Sequence, residues 1–497
     1  MKLICSDNIS KYYLQSLCLL YFPGSKFSEN EKVTEETPVV TVTLTESEGS
    51  VCAKAQFKIG EQIAESEVVE KYKTTAASTA IRIQKIAVGK AVFSAGQKMF
   101  GYTPSWGILT GIRPSKISRQ IYAQTGDPAK TRKILRDEYF LYPKKAALLT
   151  NITVNESKIV ERMGKKSCSL YISIPFCPTR CAYCSFVSFA TKRLLSLIPE
   201  YIDRVLRDLD IVFHAIARNG LKLSTIYIGG GTPTTLSADQ LLRIFGKIEE
   251  YVDPFSLEEF TLEAGRPDTI TQEKLNAAVL HGVTRISINP QTLNEAVLQG
   301  IGRFHTISQF YESFDLARKS GVKYINTDLI VGLPGDSYRS FSKTMDSIIK
   351  LEPDNITVHT FCVKKAADLA HSEGIYTNAG GDVQKSVDYS QLRAKSGGYI
   401  PYYLYRQKNS AGNLENVGFS KPGAEGLYNI YIMEELQTIF SVGAGAVTKL
   451  VDRENNRIER IFMDKYPYEY LSEDAEKKFK SEYPDNIDRF FSVIFNE

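Results

Sequence analysis

Three of the chain's eight cysteines, Cys177, Cys181 and Cys184, fall within IPFCPTRCAYCSF (174–186) at the spacing C-x3-C-x2-C. Thiolates this close together on a loop can wrap one metal centre. Zinc sites usually draw on two C-x2-C pairs, or on cysteine with histidine. No fourth cysteine or histidine lies close by. An iron–sulfur cube normally takes four thiolates. Three leave one iron open, and an open iron can hold a substrate or cofactor. Three unrelated buried cysteines would not explain the spacing. The remaining five, Cys5, Cys18, Cys52, Cys168 and Cys362, are expected as small core residues.

Further candidate residues follow at intervals. Gly230, Gly231 and Thr232 lie in GGGTP (229–233), where glycines let backbone N–H groups approach a ligand closely. A plain turn is the simpler alternative. Glu263 ends an apolar run in FTLEAGRPD and can neutralise a ligand ammonium, although a strand-end acid is often just solvated. Gln291 lies in RISINPQTLN and Arg303 in VLQGIGRFHT. Asp328 sits inside the apolar YINTDLIVGLPG. An acid there is costly to bury unless paired or hydrogen-bonded, which favours a ligand role, for instance to a ribose hydroxyl.

These residues need a frame. From residue 169 short apolar runs alternate with amphipathic helical stretches. The candidate strands are 169–174, 224–229, 259–264, 284–289, 324–332 and 355–361. Six β–α units in succession imply a parallel α/β sheet with right-handed crossovers. Six is fewer than the eight of a closed barrel, so a partial (β/α)6 barrel is expected. Its ligands would sit at the carboxyl ends of the strands, where the motifs above fall. Before it, residues 1–165 are expected as an N-terminal α+β domain containing a hairpin over 37–59. After the barrel (166–365), residues 366–497 lose the alternation and are expected as a C-terminal α+β extension covering the substrate.

Composition is ordinary for a globular chain of 497 residues, with 43% hydrophobic and 24% charged residues. A net charge of +4 does not argue for a nucleic-acid protein. Residues 29–70 hold ten acidic and three basic residues, and residues 71–140 thirteen basic and three acidic. That reversal points to a boundary near residue 70. The basic face is either a solvated helix surface or a dock for an anionic partner. The apolar run near the N-terminus is interrupted and short for a membrane span, and no signal-peptide pattern follows. A cytoplasmic protein with free thiols is expected.

The cysteine loop, C-x3-C-x-Y-C after a strand, resembles the signature of radical S-adenosylmethionine (SAM) enzymes. The resemblance implies a [4Fe–4S] cluster on Cys177, Cys181 and Cys184, with SAM on the open iron. YISIPFC, CAYC, GGGTP, LEAGRPD, NPQTLN, IGRFHT and TDLIVGLPG, in that order, resemble the oxygen-independent coproporphyrinogen III oxidase (dehydrogenase) family. WGILTGIRPSK and YYLYRQKNSAGNLENVGF resemble its HemZ-type subgroup. The match implies SAM contacts at Tyr171, Tyr183, Gly230, Gly231, Thr232, Glu263, Gln291, Arg303 and Asp328, with Cys362 and Val447 near two further contact positions. It implies oxidative decarboxylation of coproporphyrinogen III, or a related tetrapyrrole, and an electron donor to the cluster. Arg113, Arg406 and Lys408 are candidate partners of the propionates, with Tyr402 and Tyr403 packing on the macrocycle. One departure stands out. The classical enzymes carry a further cysteine two residues after the third ligand, where this chain has Phe186. Heme-chaperone relatives also lack it. A heme-delivery protein, with His359 as a candidate ligand, and a radical SAM RNA-modifying enzyme therefore stand as alternatives.

Overall fold

The computed structural model describes residues 1–27, 34, 36–72, 77–186, 188–362, 380–407 and 410–495. Contacts divide them into two units, Met1–Val154 with Arg406–Asn409, and Asn155–Tyr405 with Ser410–Glu497. In the first unit, alternation sends Val40, Val42, Leu44, Val51, Ala53, Ala55 and Phe57 to one buried face. Four strands result in the order β1 (Lys2–Cys5), β2 (Val39–Ser47), β3 (Ser50–Ile59) and β4 (Gln62–Lys71). The expected hairpin is β2–β3, with Ser47 opposite Ser50. Helix Ala77–Phe100 packs on β3 and β4. The charge reversal near residue 70 thus falls inside one unit.

The second unit contains β5 (Ser167–Ile174), β6 (Lys222–Gly230), β7 (Glu259–Leu262), β8 (Arg285–Ser287), β9 (Tyr324–Val331) and β10 (Asn355–Thr360). Each pairs parallel with the next. All six coincide with the runs expected from sequence. Helices Ile198–Arg218, Ala238–Glu249, Gln272–Leu280, Ile307–Ser320 and Tyr338–Leu351 fill the connections. Several start on caps that the sequence supplies: Ser237 and Thr306 form capping boxes, and Thr271 and Ser337 accept from the first turn.

Five later strands are β11 (Ile400–Arg406), β12 (Glu415–Ser420), β13 (Thr438–Val442), β14 (Val447–Asp452) and β15 (Arg457–Phe462). The sheet order is β11-β12-β10-β9-β8-β7-β6-β5-β13-β14-β15. β12 runs antiparallel to β10, and β13 parallel to β5. The strands after residue 366 therefore extend both edges of the barrel sheet and share its unit, a physical solution to unpaired edges. No helix among the described residues is long and apolar enough to cross a membrane.

One side of each barrel strand is apolar and buried: Leu170, Ile172, Ile226, Ile228, Phe260, Ile286, Ile325, Ile356. The alternate residues face one another across the barrel and are polar. At the floor, Arg285 Nε donates to Glu259 Oε2 at 3.1 Å, and Nη1 to Asn326 Oδ1 at 2.7 Å and to Asn355 Oδ1. Its Nη2 reaches the carbonyls of Ala424 and Glu425, both at 3.1 Å. Glu259 in turn accepts from the N–H groups of Leu427 and Tyr428, at 2.9 and 3.2 Å, which open helix Leu427–Glu434. Arg285 is 2% exposed. Replacing it by Met strands a buried carboxylate. The expected loss is about 3–5 kcal/mol of stability, seen as a lower urea midpoint of the full chain.

Candidate functional site

The carboxyl ends of the barrel strands bring the sequence motifs together. After β5 the chain turns at Phe176, and the Cys177 N–H donates to the Phe189 carbonyl at 3.0 Å. The GGGTP run closes on this loop. Gly231 N–H donates to the Ile174 carbonyl at 2.8 Å and Thr232 N–H to that of Phe176 at 2.7 Å. The Thr232 hydroxyl lies 3.3 Å from Cys177 Sγ. A Cβ at Gly231 would meet the Phe176 carbonyl oxygen at 2.6 Å, and Gly230 has φ +114°. Glycine is required at both places.

On the other side, Ala182 N–H donates to the Ile301 carbonyl at 2.9 Å. Tyr183 packs against Val297, Leu298, Ile301, Ile330, Leu333 and Phe361, and Gly302 lies against the backbone of Arg180. Arg303, 4% exposed, donates Nη2 to the carbonyls of Gly265 and Asn289. Asn289 Nδ2 donates to Asp328 Oδ2 at 3.0 Å, and its Oδ1 accepts the Asp328 N–H at 3.1 Å. Asp328 is thus hydrogen-bonded, as its position in an apolar strand demands. His359, on β10, places Nε2 3.7 Å from Asp328 Oδ2 and Nδ1 3.0 Å from the Tyr405 hydroxyl.

Glu263 is half-buried beside the glycine run. Burial, then the Asp328 charge, push its carboxyl up to about 8, against a weaker pull from the Gly230 N–H. Below it Tyr171, Tyr227 and Tyr428 stack, with centroids 4.6–6.2 Å apart. Gln291 holds φ +68°, a strained conformation for a residue other than glycine. It persists because both backbone groups bond to β9, N–H to the Asp328 carbonyl at 3.1 Å and carbonyl to the Ile330 N–H at 2.9 Å. Its Oε1 is buried without a partner, as is Arg303 Nε.

Burial raises the Cys177 thiol to about 11, offset in part by the Thr232 hydroxyl, and raises that of Cys184. Cys184 and Cys181 lie near enough to Cys177 to raise it further. Among the described residues, no three His, Cys, Asp or Glu side chains are already gathered as a group that could hold a metal ion. Metal binding and the ordering of its ligands are coupled, so a cluster would complete the convergence.

The remaining candidates differ in their settings. Tyr402 and Tyr403 are 0% and 4% exposed and pack with Ile430, Tyr431 and Leu436. They are core, not a macrocycle platform. The Arg406 guanidinium lies 5.3 Å from the Trp106 ring and donates to the Leu109 carbonyl. Both partners belong to the first unit, as does Arg113. Lys408 lies outside the described residues. Cys362 bridges to Ser410, and Val447 starts β14. Residues that sequence reasoning passed over are Arg266, Asn289, His305, Tyr227 and Tyr428. Arg266 was visible in LEAGRPD, and Tyr227 by its period-two alignment with Gly229.

A parallel six-stranded barrel with a three-cysteine loop at its mouth, a glycine run and a polar rim defines a radical SAM protein. The radical SAM superfamily profile matches residues 171–348. The chain is 38% identical over 374 residues to the oxygen-independent coproporphyrinogen-III oxidase-like protein HemZ of Bacillus subtilis, covering 74% of this chain and 75% of that one. It is 31% identical over 291 residues to the heme chaperone HemW of the same organism (56% and 70% covered). Identity to the oxygen-independent coproporphyrinogen III oxidase of Helicobacter pylori is 32% over 198 residues (39% and 42% covered). The chain belongs to the HemZ-like branch of the radical SAM superfamily. That superfamily implies a [4Fe–4S] cluster and SAM. The residues fit both: three thiols on one loop, a glycine cradle, and unpartnered buried atoms on Gln291 and Arg303.

Two measurements probe this rim. Gln291→Gly removes a left-handed strain worth about 1 kcal/mol or more, so the cofactor-free chain should melt higher while SAM affinity falls in equilibrium dialysis. Glu263 binds its proton more tightly folded (about 8) than unfolded (4.5). Its contribution to stability is full below pH 4.5 and is lost as pH rises through about 8. Urea midpoints of the cofactor-free chain should therefore decline across that window, and Glu263→Gln should flatten the decline.

Proposed function

We propose that the chain carries out the oxygen-independent oxidative decarboxylation of coproporphyrinogen III to protoporphyrinogen IX in heme biosynthesis. The observation that carries this reading is the contact ring round the cysteine loop, in a chain 38% identical over most of its length to a coproporphyrinogen-III oxidase-like protein. When bound, cluster and SAM supply a 5′-deoxyadenosyl radical able to take a hydrogen atom from a propionate β-carbon. The propionate then loses carbon dioxide and passes one electron to an acceptor, leaving a vinyl group. A second propionate repeats the sequence.

The chain's own residues do the positioning. Cys177, Cys181 and Cys184 hold the cluster. Gly230, Gly231, Thr232 and Glu263 seat the amino end of SAM, and Asp328 takes its ribose. Gln291 and Arg303 close the seat with donors and acceptors that have no protein partner. Tyr171 and Tyr183 line it. The cofactor brings the hard chemistry, and the barrel orients it and excludes water. A one-electron donor must reduce the cluster, and the expected working conditions are low in oxygen.

Heme delivery is the second reading. It is favoured by the identity to a heme chaperone over 70% of that protein and by the half-buried His359 at the barrel mouth. One experiment separates the two. The full chain is reconstituted anaerobically and given dithionite, SAM and coproporphyrinogen III, and products are followed with 5′-deoxyadenosine by mass spectrometry. Protoporphyrinogen or the mono-decarboxylated intermediate is expected, falling at least about a thousandfold in Cys181→Ala, since an unmade radical leaves no alternative route. SAM cleavage with no tetrapyrrole product would overturn the decarboxylase reading.

A further inference from the structure

Arg266, on the loop after β7, has no part in the seat described above, yet it is 3% exposed and uses three of its nitrogens. Nε and Nη2 donate to the two oxygens of Asp268, each at 3.0 Å. Nη1 donates to Thr179 Oγ1 at 3.0 Å, and reaches the Thr179 carbonyl at 3.5 Å and Cys181 Sγ at 3.8 Å. Thr179 and Cys181 both belong to the cysteine loop. One guanidinium therefore ties the loop after β7 to the loop after β5. The flat fork makes this possible: one edge grips a carboxylate while the remaining nitrogen points elsewhere, which a lysine ammonium on a single flexible stem does not reproduce.

The sulfur faces a guanidinium N–H whose charge is shared with a carboxylate on its other edge. Asp268 is the carboxylate paired with Arg266, and Arg303 and Arg180 are further arginines nearby. His305, 3% exposed with neither ring nitrogen partnered, is held neutral down to about pH 3 by burial and by the Arg303 charge. Hydrogen bonds to the sulfurs and local charge are among the levers that set a cluster's reduction potential. Reduction adds one electron, so a nearby cation and an N–H···S bond favour the reduced state over the oxidised one.

We infer that Arg266 is a positioning and tuning residue for the iron–sulfur cluster: its Nη1–H donates to the Cys181 thiolate, holds the cysteine loop in liganding shape and raises the potential at which the cluster accepts its electron. The inference rests on the cluster but not on the tetrapyrrole.

The test is a redox titration of the full chain, reconstituted with iron and sulfide and followed by electron paramagnetic resonance. Arg266→Gln should load iron and need a lower potential. Where the unaltered protein is half reduced, its oxidised-to-reduced ratio should rise about tenfold, a drop of about 59 mV for one electron. Asp268→Asn removes the counter-charge and should shift the midpoint the other way. Arg266→Lys, keeping charge without the fork, should recover part of the loss. An unchanged midpoint in iron-loaded Arg266→Gln overturns the inference. Should that variant take up no iron, Asp268→Asn decides, and a midpoint that does not rise overturns it. An unaltered chain that assembles no cluster sinks this inference and the proposed function together. A normal cluster with shifted midpoints but no decarboxylation sinks only the function.

Discussion

The buried pair of Arg285 and Glu259 sets the terms for everything above it. A charged group inside a sheet is tolerated only when every donor and acceptor is used. Here Arg285 reaches Glu259, Asn326, Asn355 and two backbone carbonyls, and Glu259 also caps helix Leu427–Glu434. A separate buried set lies on β5 and β6, where Ser169 meets Thr225 at 2.7 Å and Gln437 at 2.6 Å. The floor is thereby closed with polar groups instead of the branched apolar layers that fill a closed barrel. A sheet closed this way keeps a polar interior up to its rim. Gln291 Oε1 and Arg303 Nε end there without partners, as Asn355 Nδ2 and Gln437 Oε1 do at the floor. A ligand with amino, carboxylate and hydroxyl groups is the kind of molecule such a rim is short of.

The rim is also rigid where it needs to be. The cysteine loop is held from three directions: by the glycine run after β6, by Arg266 after β7 and by the Ile301–Arg303 segment beyond β8. None of these anchors is a cysteine, so the loop's path does not depend wholly on iron. The thiols themselves are not gathered. Backbone preorganisation with side-chain completion on binding is consistent with burial holding the Cys177 and Cys184 thiols protonated until a metal displaces the proton.

What was legible in the sequence is what is local. Short apolar runs alternating with amphipathic helical stretches located all six barrel strands, and spacing within eight residues marked the cysteine loop. Non-local pairing was not legible. β13 lies parallel to β5, Thr438 opposite Cys168, and nothing in TIFSV says which edge it will join. Thus residues 366–497 looked like a separate covering domain. Aromatic and basic residues misled for a related reason. In IPYYLYR the tyrosines look like a ligand platform, but Tyr402 and Tyr403 are buried against helix Leu427–Glu434, and Arg406 turns to Trp106. Glu259 and Arg285, at the starts of their strands, were not singled out from the sequence, because charge at a strand's beginning carries no sign of what will close over it.

His359 bears on the choice between radical chemistry and heme delivery. An imidazole that ligates iron needs a free ring nitrogen aimed at open space, with its other nitrogen oriented by a neighbour. The Tyr405 hydroxyl supplies the orienting contact at Nδ1. Nε2, however, faces Asp328 at 3.7 Å, and Asp328 is fixed by two bonds to Asn289, which also receives Arg303. Turning Nε2 toward a heme would leave Asp328 with Asn289 alone and disturb the strand position expected to take the ribose of SAM. Leaving it in place keeps an imidazole edge beside the Asp328 carboxylate. His359 Nε2 and Asn289 Nδ2 therefore face the same carboxylate, and a role for His359 as an iron ligand would have to give up the first of these approaches.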